Sequence, residues 1–131
     1  MNGETNLDTL LKSMKPELVE TEYVFCCIET TLLNVLRLEP IATFKEHEGL
    51  TLVITKQTAD AEGMKYDGVF KQITLTVHSS LNAVGLTAAV ATKLANKGLS
   101  ANVIAAFYHD HIFVQTDVAE KALAALNEFT Q

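Results

Sequence analysis

The segment from residue 73 to 114 constrains the fold more than any other part of the chain, because different periodicities follow one another in it. Apolar and polar residues alternate over ITLTVH, which predicts a half-buried strand that starts at residue 73. An apolar stripe of helical spacing predicts a helix over residues 84–96, and Lys97-Gly98 supplies its expected end. The loop between strand and helix therefore lies at a helix N-terminus.

The rest of the C-terminal half continues this order. Residues 101–108 and 112–115 are predicted strands of a hairpin whose turn is residues 109–111. Asp117 is a predicted N-cap for the last helix. In that helix, four residues can face the sheet, namely Val118, Ala122, Ala125 and Phe129. Residues 70–131 thus read as βαββα.

The N-terminal half opens with a short helix and a strand. Apolar spacing predicts a helix over residues 9–14, capped by Asn6 or by Asp8. The β-branched and aromatic residues of 23–28 predict a buried strand. The apolar residues of 29–40 fit a helical turn and an extended segment equally well, so the sequence leaves this stretch open.

A hairpin and a short helix complete the N-terminal half. Residues 41–44 and 50–54 flank a polar loop that ends in glycine, which predicts a β-hairpin. Thr55 or Thr58 can cap a helix that Gly63 would end. The two halves, residues 1–68 and 69–131, therefore repeat a similar order of elements.

The repeat predicts an α+β protein with two similar layered halves. No proline-rich or serine-rich linker separates them near residues 65–70. We therefore expect the halves to pack as one unit, since domain boundaries usually fall in such linkers.

The charge distribution and the N-terminal sequence indicate which partners and which location to expect. The net charge is -6, and the ten Lys and Arg residues are scattered, so a nucleic acid or an anionic membrane is not an expected partner. The N-terminus shows no secretory pattern, and no apolar run reaches the roughly 18 residues that a spanning helix needs. We expect a cytoplasmic protein.

Several stretches of the sequence resemble a known family. GLTAAVATKLANKGLSANVIAAFYHDHIFV resembles the core of an ACT domain. YVFC, EPIATF, EGLTLV and ITLTVHSSL…VGLTAA occur in the order found in bacterial tandem ACT-like proteins of uncharacterised function. The C-terminal half is also similar to ACT modules of aspartate kinases and of cytosolic arginine sensors. The resemblance implies a ferredoxin-like, ACT-type βαββα sandwich with antiparallel sheets, with one ACT-like half in residues 1–68 and an ACT domain in 69–131.

The resemblance also implies a ligand site at an interface between two ACT modules. Such a ligand contacts the loop after the first strand and the edge of the second strand. Unpaired N–H groups at a helix N-terminus suit a carboxylate. The implied loop residues are Ser80, Leu81, Asn82, Ala83, Val84, Gly85 and Leu86, joined by Asn102 on the second strand and by Asp110, which matches an acidic position of the arginine sensors.

Each of these side chains also has a purely structural interpretation. Asn82 can cap the helix, and Gly85 can allow close packing of the helix on a strand. Asn102 can be an exposed edge residue, and Asp110 an ordinary turn aspartate. The sequence does not decide between the two interpretations.

Other chemistry is not expected. His109 and His111 lack a third ligand at a defined spacing, so no metal site is predicted. The adjacent Cys26 and Cys27 cannot form a disulfide framework and most simply fill core space. No nucleophile and base stand at a catalytic spacing, so we expect neither an enzyme nor a cofactor.

The sequence thus predicts a regulatory module that binds an amino acid or a similar zwitterion, or another small carboxylate, and has no catalytic activity. The alternative is a structural or interaction module that dimerises without a ligand. A homodimer fits both, and the alanine-rich face of the long helix would allow close approach. That face comprises Ala88, Ala89, Ala91 and Ala95.

Overall fold

The computed structural model describes residues 6–76 and 85–130. It divides into two compact units by contact. The large unit comprises Met1–Glu20 and Lys71–Gln131, and the small unit comprises Thr21–Phe70. The N-terminal helix thus belongs with the C-terminal segment. The boundary between residues 68 and 69 that the repeat predicts stays a prediction.

Six strands and four α-helices make up the described chain. The strands are β1 Pro16–Ile28, β2 Ala42–Glu46, β3 Gly49–Thr55, β4 Phe70–Leu75, β5 Asn102–Ala105 and β6 Asp110–Gln115. The α-helices are α1 Leu7–Ser13, α2 Lys56–Ala61, α3 Leu86–Asn96 and α4 Ala119–Asn127, and 3₁₀ helices span Leu32–Leu38, Thr116–Val118 and Glu128–Thr130.

The small unit is an antiparallel sheet in the order β2-β3-β1, covered on one face by helices. Val24 and Cys26 of β1 pair with Ile54 and Leu52 of β3, and these four side chains form the core. The 3₁₀ helix contributes Val35 and Leu38 to this core, and α2 contributes Ala59. The segment that the sequence left open is therefore helical, with a tighter turn than an α-helix.

The large unit has the strand order β1-β4-β6-β5. Only the first five residues of β1, 16–20, belong to this unit. Among the described residues, the buried side chains of its core are all apolar. The strands contribute Ile73, Leu75, Ile112 and Val114, and the helices contribute Leu10, Leu86, Val90, Leu94, Ala122 and Leu126. The antiparallel, ferredoxin-like α+β architecture that the sequence predicts is confirmed.

Several predicted helix ends are also confirmed. The Asn6 side chain accepts a 3.0 Å hydrogen bond from the backbone N–H of Thr9, and Thr55 accepts a 3.1 Å bond from the N–H of Thr58. After α3, the N–H of Leu99 donates to the Leu94 carbonyl at 2.9 Å, with Gly98 in a left-handed conformation. This is the glycine stop expected from the sequence.

Three boundaries differ from the prediction. β1 begins at Pro16, seven residues before the predicted start, because its first residues pair although they include several glutamates. α4 has Val118 at its N-cap without a side-chain cap, so Asp117 does not cap it and lies in a 3₁₀ turn. The β5–β6 turn lies at residues 106–109, since the Ala106 N–H donates to the His109 carbonyl.

Candidate functional site

The predicted loop site is described only at its end. Five of its residues lie outside the described part of the chain, namely Ser80, Leu81, Asn82, Ala83 and Val84. The structure places the other four, which are Gly85, Leu86, Asn102 and Asp110. All four belong to the large unit.

Gly85 and Leu86 form the entrance to α3. Gly85 is the N-cap of α3 and has a left-handed conformation with φ 94°. The prediction that Asn82 caps this helix is therefore wrong. A Cβ added to Gly85 would lie 3.1 Å from Leu7 Cδ2, which shows a tight packing role for this glycine. The Leu86 side chain is buried in the core. Only the backbone of these two residues is available to a ligand.

Asn102 and Asp110 lie on neighbouring strands but are not brought together. Asn102 pairs with Phe113, and its side chain donates a long 3.4 Å bond to the Phe113 carbonyl. Asp110 pairs with Ala105, three positions along the hairpin, or about 10 Å away. Because side chains alternate between faces along a strand, these two positions also point to opposite faces of the sheet. One small ligand on a face of the sheet cannot bind both side chains.

Asp110 and His111 belong to β6, not to a turn as predicted from the sequence. Burial raises the pKa of the Asp110 carboxyl group, and the neighbouring imidazoles oppose that effect. Burial also lowers the pKa of His111, and His109 acts in the same direction. His111 Nδ1 lies 3.0 Å from Gln72 Nε2 and 3.1 Å from Thr74 Oγ1. These contacts tie β6 to β4.

His109 and His111 flank Asp110 at the start of β6. The His109 and His111 rings lie 6.5 Å apart, and His109 Nδ1 is buried without a hydrogen-bond partner in the part of the chain that is described. Within residues 6–76 and 85–130, no three His, Cys, Asp or Glu side chains are grouped to hold a metal ion. Cys26 is buried as expected, whereas Cys27 is exposed and fills no core space.

A cleft that the sequence did not predict lies in the small unit. It is open to solvent, has a volume of about 480 Å³, and lies between the start of the 3₁₀ helix and the β2–β3 hairpin. Its lining consists of Thr30, Thr31, Leu32, Leu33, Lys45, Glu46, Gly49 and Leu50. The first four residues follow Glu29, which comes after the end of β1, so in the sequence they come after a strand as the predicted loop comes after β4.

The cleft combines a cation, hydroxyl groups and an apolar floor. Among the described residues, Lys45 has neither an ion-pair nor a hydrogen-bond partner, whereas the Glu46 carboxylate accepts a bond from Thr51. The Thr31 hydroxyl makes no capping bond, although Thr31 is the N-cap of the 3₁₀ helix. Leu50 is buried beneath them. This set suits a small molecule that carries a carboxylate next to an apolar part.

A signal for the cleft was present in the sequence. The family resemblance implies a ligand at the loop after the first strand, and the same rule applied to the N-terminal half would indicate residues 29–31. The sequence alone leaves residues 29–40 open between a helix and an extended segment, so it does not define where the loop after β1 ends.

The comparisons with known proteins agree with this architecture. Residues 2–71 match one ACT domain family, and residues 70–128 match a second. The chain belongs to the ACT domain family. No protein among the curated sequences matches it significantly.

Solved structures extend this result. A Vibrio cholerae protein of unknown function, described as a possible transport protein, is 58% identical, with 95% of this chain and 96% of that chain covered and a TM-score of 0.89. The ligand-free regulatory subunit of aspartate kinase from Thermus thermophilus shares 9% identity, with 92% and 99% covered and a TM-score of 0.68. A protein from Agobacterium tumefaciens shares 15% identity over 89% of each chain, with a TM-score of 0.71. The last two show the fold alone.

Family membership supports a regulatory, ligand-binding module in general and identifies no ligand. None of the helices within residues 6–76 and 85–130 has both the length and the apolar character to cross a membrane.

Proposed function

We propose that this tandem ACT protein is a non-catalytic regulatory module that binds an amino acid or a similar zwitterion in the cleft of the small unit. One observation carries the proposal: Lys45 lines the cleft and has no partner among the described residues. A ligand carboxylate would give this ammonium group a charge-assisted hydrogen bond, which is about twice as strong as a neutral one.

The rest of the lining supports a ligand with a polar end and an apolar end. The Thr30 hydroxyl accepts a 3.0 Å bond from Asn34 Nδ2 and is already engaged, whereas the Thr31 hydroxyl makes no capping bond. The apolar side of the cleft is formed by Leu32, Leu33 and Leu50. An aliphatic side chain of the ligand would lie against these leucines, with its carboxylate near Lys45.

The loop of residues 80–86 is kept as a second proposed site, at an interface between ACT modules. Its support is the left-handed Gly85 at the entrance to the 11-residue helix α3, where backbone N–H groups are unpaired. Asn102 is its proposed strand partner, and Asp110 is an alternative that would require a ligand on the other face of the sheet. Both sites suit an anionic group on a cytoplasmic metabolite.

Isothermal titration calorimetry of the free protein against the twenty amino acids tests the proposal. For any ligand found, we expect Lys45→Met to weaken binding about 10- to 100-fold, the range for a hydrogen bond to a charged group. Lys65→Met is a matched control, because Lys65 is exposed in the same unit and does not line the cleft. Absence of heat for all twenty, or equal losses in both variants, would contradict the amino-acid version.

The second candidate function is an interaction module that forms a homodimer without a ligand. The observation that favours it is the exposure of large apolar side chains in the small unit, of which Leu33 and Phe44 are the most exposed. Self-association is compatible with ligand binding, so we propose a homodimer under both functions.

A further inference from the structure

Two polar side chains are joined at the junction between β1 and the 3₁₀ helix, on one wall of the cleft. The N–H of Thr30 donates a 2.9 Å bond to the Ile28 carbonyl at the end of β1. The N–H of Asn34 donates a 3.1 Å bond to the Thr31 carbonyl, within the first turn of the helix. The two side chains then meet, with Asn34 Nδ2 3.0 Å from Thr30 Oγ1. Thr30 is therefore held both at its backbone and at its hydroxyl group.

The bond from Asn34 determines what the Thr30 hydroxyl group can offer to a ligand. An amide nitrogen only donates, so Thr30 Oγ1 is the acceptor of this bond. A hydroxyl group also has one proton to donate, and accepting one hydrogen bond strengthens the bond that the same hydroxyl group donates. Because Thr30 lines the cleft, this proton is available to a molecule bound there.

The other wall of the cleft supplies a second donor. Lys45 lines the cleft from β2, and its ammonium group can only donate. Glu46 is the acidic residue of the lining, and its carboxylate accepts a bond from the Thr51 hydroxyl group. Thr51 pairs with Phe44, so this bond lies on the face of the sheet opposite to Lys45. The cleft therefore has a donor on each wall, and its own carboxylate is held away from Lys45.

We propose that Asn34 is a positioning residue that holds the Thr30 hydroxyl group as a donor. Thr30 and Lys45 then bind the two oxygens of one ligand carboxylate. This inference deepens the proposed function and rests on it, because it names the residues that recognise the carboxylate. Two donors select a carboxylate over a neutral amide, since an amide has one oxygen and brings its own N–H protons towards the donors. Holding Thr30 in place before binding also lowers the entropy cost of binding.

Isovalerate and isovaleramide are the probes that test the role of Thr30. They share a branched aliphatic part and differ only in a carboxylate against a neutral amide. In titrations of the ¹⁵N-labelled full-length protein, we expect the wild type to bind isovalerate more tightly. Thr30→Val should weaken isovalerate binding about 10-fold, as expected for a hydrogen bond to a charged group, and should change isovaleramide binding less. Thr30→Ser retains the hydroxyl group and should keep the preference for isovalerate.

Asn34→Asp tests the direction of the hydrogen bond. The new carboxylate is an acceptor of nearly the same shape, so the Thr30 hydroxyl group would donate to it and no longer to isovalerate. The added negative charge also weakens isovalerate binding by itself, so the same change is made in a Thr30→Val background, where only the charge effect is left. We expect the loss caused by Asn34→Asp to be about 10-fold smaller in that background. Equal losses in both backgrounds would overturn the positioning role of Asn34.

Thr43→Val is the matched control, because Thr43 is exposed in the same unit and does not line the cleft, and we expect it to bind both probes as the wild type does. Thr30 is half-buried and Asn34 is exposed, so the variants should fold, which circular dichroism checks. A wild type that binds neither probe, or binds both equally, would overturn the inference. If Lys45→Met weakens amino-acid binding and Thr30→Val does not, this inference fails and the proposed function stands. If no amino acid binds either, both fail.

Discussion

The helix that follows β4 in the large unit and the helix that follows β1 in the small unit use their apolar residues differently. α3 turns Leu86, Val90 and Leu94 into the core and leaves alanine, threonine and lysine outside. The 3₁₀ helix buries Val35 and Leu38 and leaves Leu33 and Leu36 in solvent.

The difference leaves several large apolar side chains exposed in the small unit. Exposed leucines cost the small unit part of the stabilisation that burial provides, about 2 kcal/mol for a fully buried side chain. Exposed single apolar residues are ordinary, but several together on one edge are typical of an interaction site. In the large unit the helix after the strand buries its leucines in the core, whereas in the small unit Leu33 and Leu36 stay exposed.

The largest expected effect separates the two helices directly. Leu94→Ala should lower the free energy of unfolding by roughly 3–5 kcal/mol, because it leaves a cavity in a fully buried cluster. Leu36→Ala makes the same change at a residue that is 54% exposed and should cost less than about 1 kcal/mol. Urea denaturation of both variants measures the contrast. Similar losses would mean that the 3₁₀ helix is packed as tightly as α3.

The next effect concerns the entrance to α3. Gly85 and Gly98 both have positive φ, at 94° and 75°, so alanine at either position should cost about 1–2 kcal/mol. A Cβ at Gly98 meets no atom within 4 Å, whereas at Gly85 it meets Leu7. We therefore expect Gly85→Ala to lower the melting temperature more than Gly98→Ala does. The reverse order would show that α1 does not hold the α3 entrance in place.

The smallest effect is a pH dependence carried by the large unit. The folded-state pKa of His111 is lowered by burial, so in acid the unfolded chain binds more protons. The contribution of His111 to the free energy of unfolding is fully present above the ordinary histidine pKa of 6.5. It is lost as the pH drops through the folded-state pKa. The groups that face the imidazole are Gln72 and Thr74 on β4, Ile104 on β5, and His109 and Asp110 beside it.

The hydrogen bond between Gln72 and His111 favours the neutral imidazole, as burial does. Gln72 Nε2 carries only protons to donate, so His111 Nδ1 accepts from it and a proton on Nδ1 would break the contact. The raised pKa of Asp110 acts with the opposite sign, but in a lower window that begins near 3.8. Thermal unfolding from pH 7 to pH 5 should show a falling melting temperature that His111→Gln flattens. An equal slope in the variant would exclude His111 as its source.

Local signals in the sequence predicted much of this fold. Asn6 and Thr55 begin their helices because a short polar side chain can accept a bond from the backbone two or three residues later. The alternation after residue 70 and the stop at Gly98 were equally clear. These features depend on residues close together in the chain.

What the sequence could not predict depends on tertiary partners. The segment LLNVLRL is apolar on most sides, so only the core of the small unit decides that Val35 and Leu38 turn inward. β1 extends across charged residues because neighbouring strands pair with it. The cleft was missed for the same reason, since Thr31 and Lys45 are 14 positions apart and only the fold brings them together.

The central claim is that the cleft of the small unit is where this protein binds a small carboxylate. The most direct measurement is a titration of the ¹⁵N-labelled protein with the amino acid that gives the strongest calorimetric signal, followed by amide chemical shifts. Shifts should concentrate at residues 30–33 and at Lys45 and Glu46, and Lys45→Met should need about 10- to 100-fold more ligand to produce them. Shifts confined to Gly85, Leu86 and the start of α3 would contradict the claim and transfer the site to the large unit.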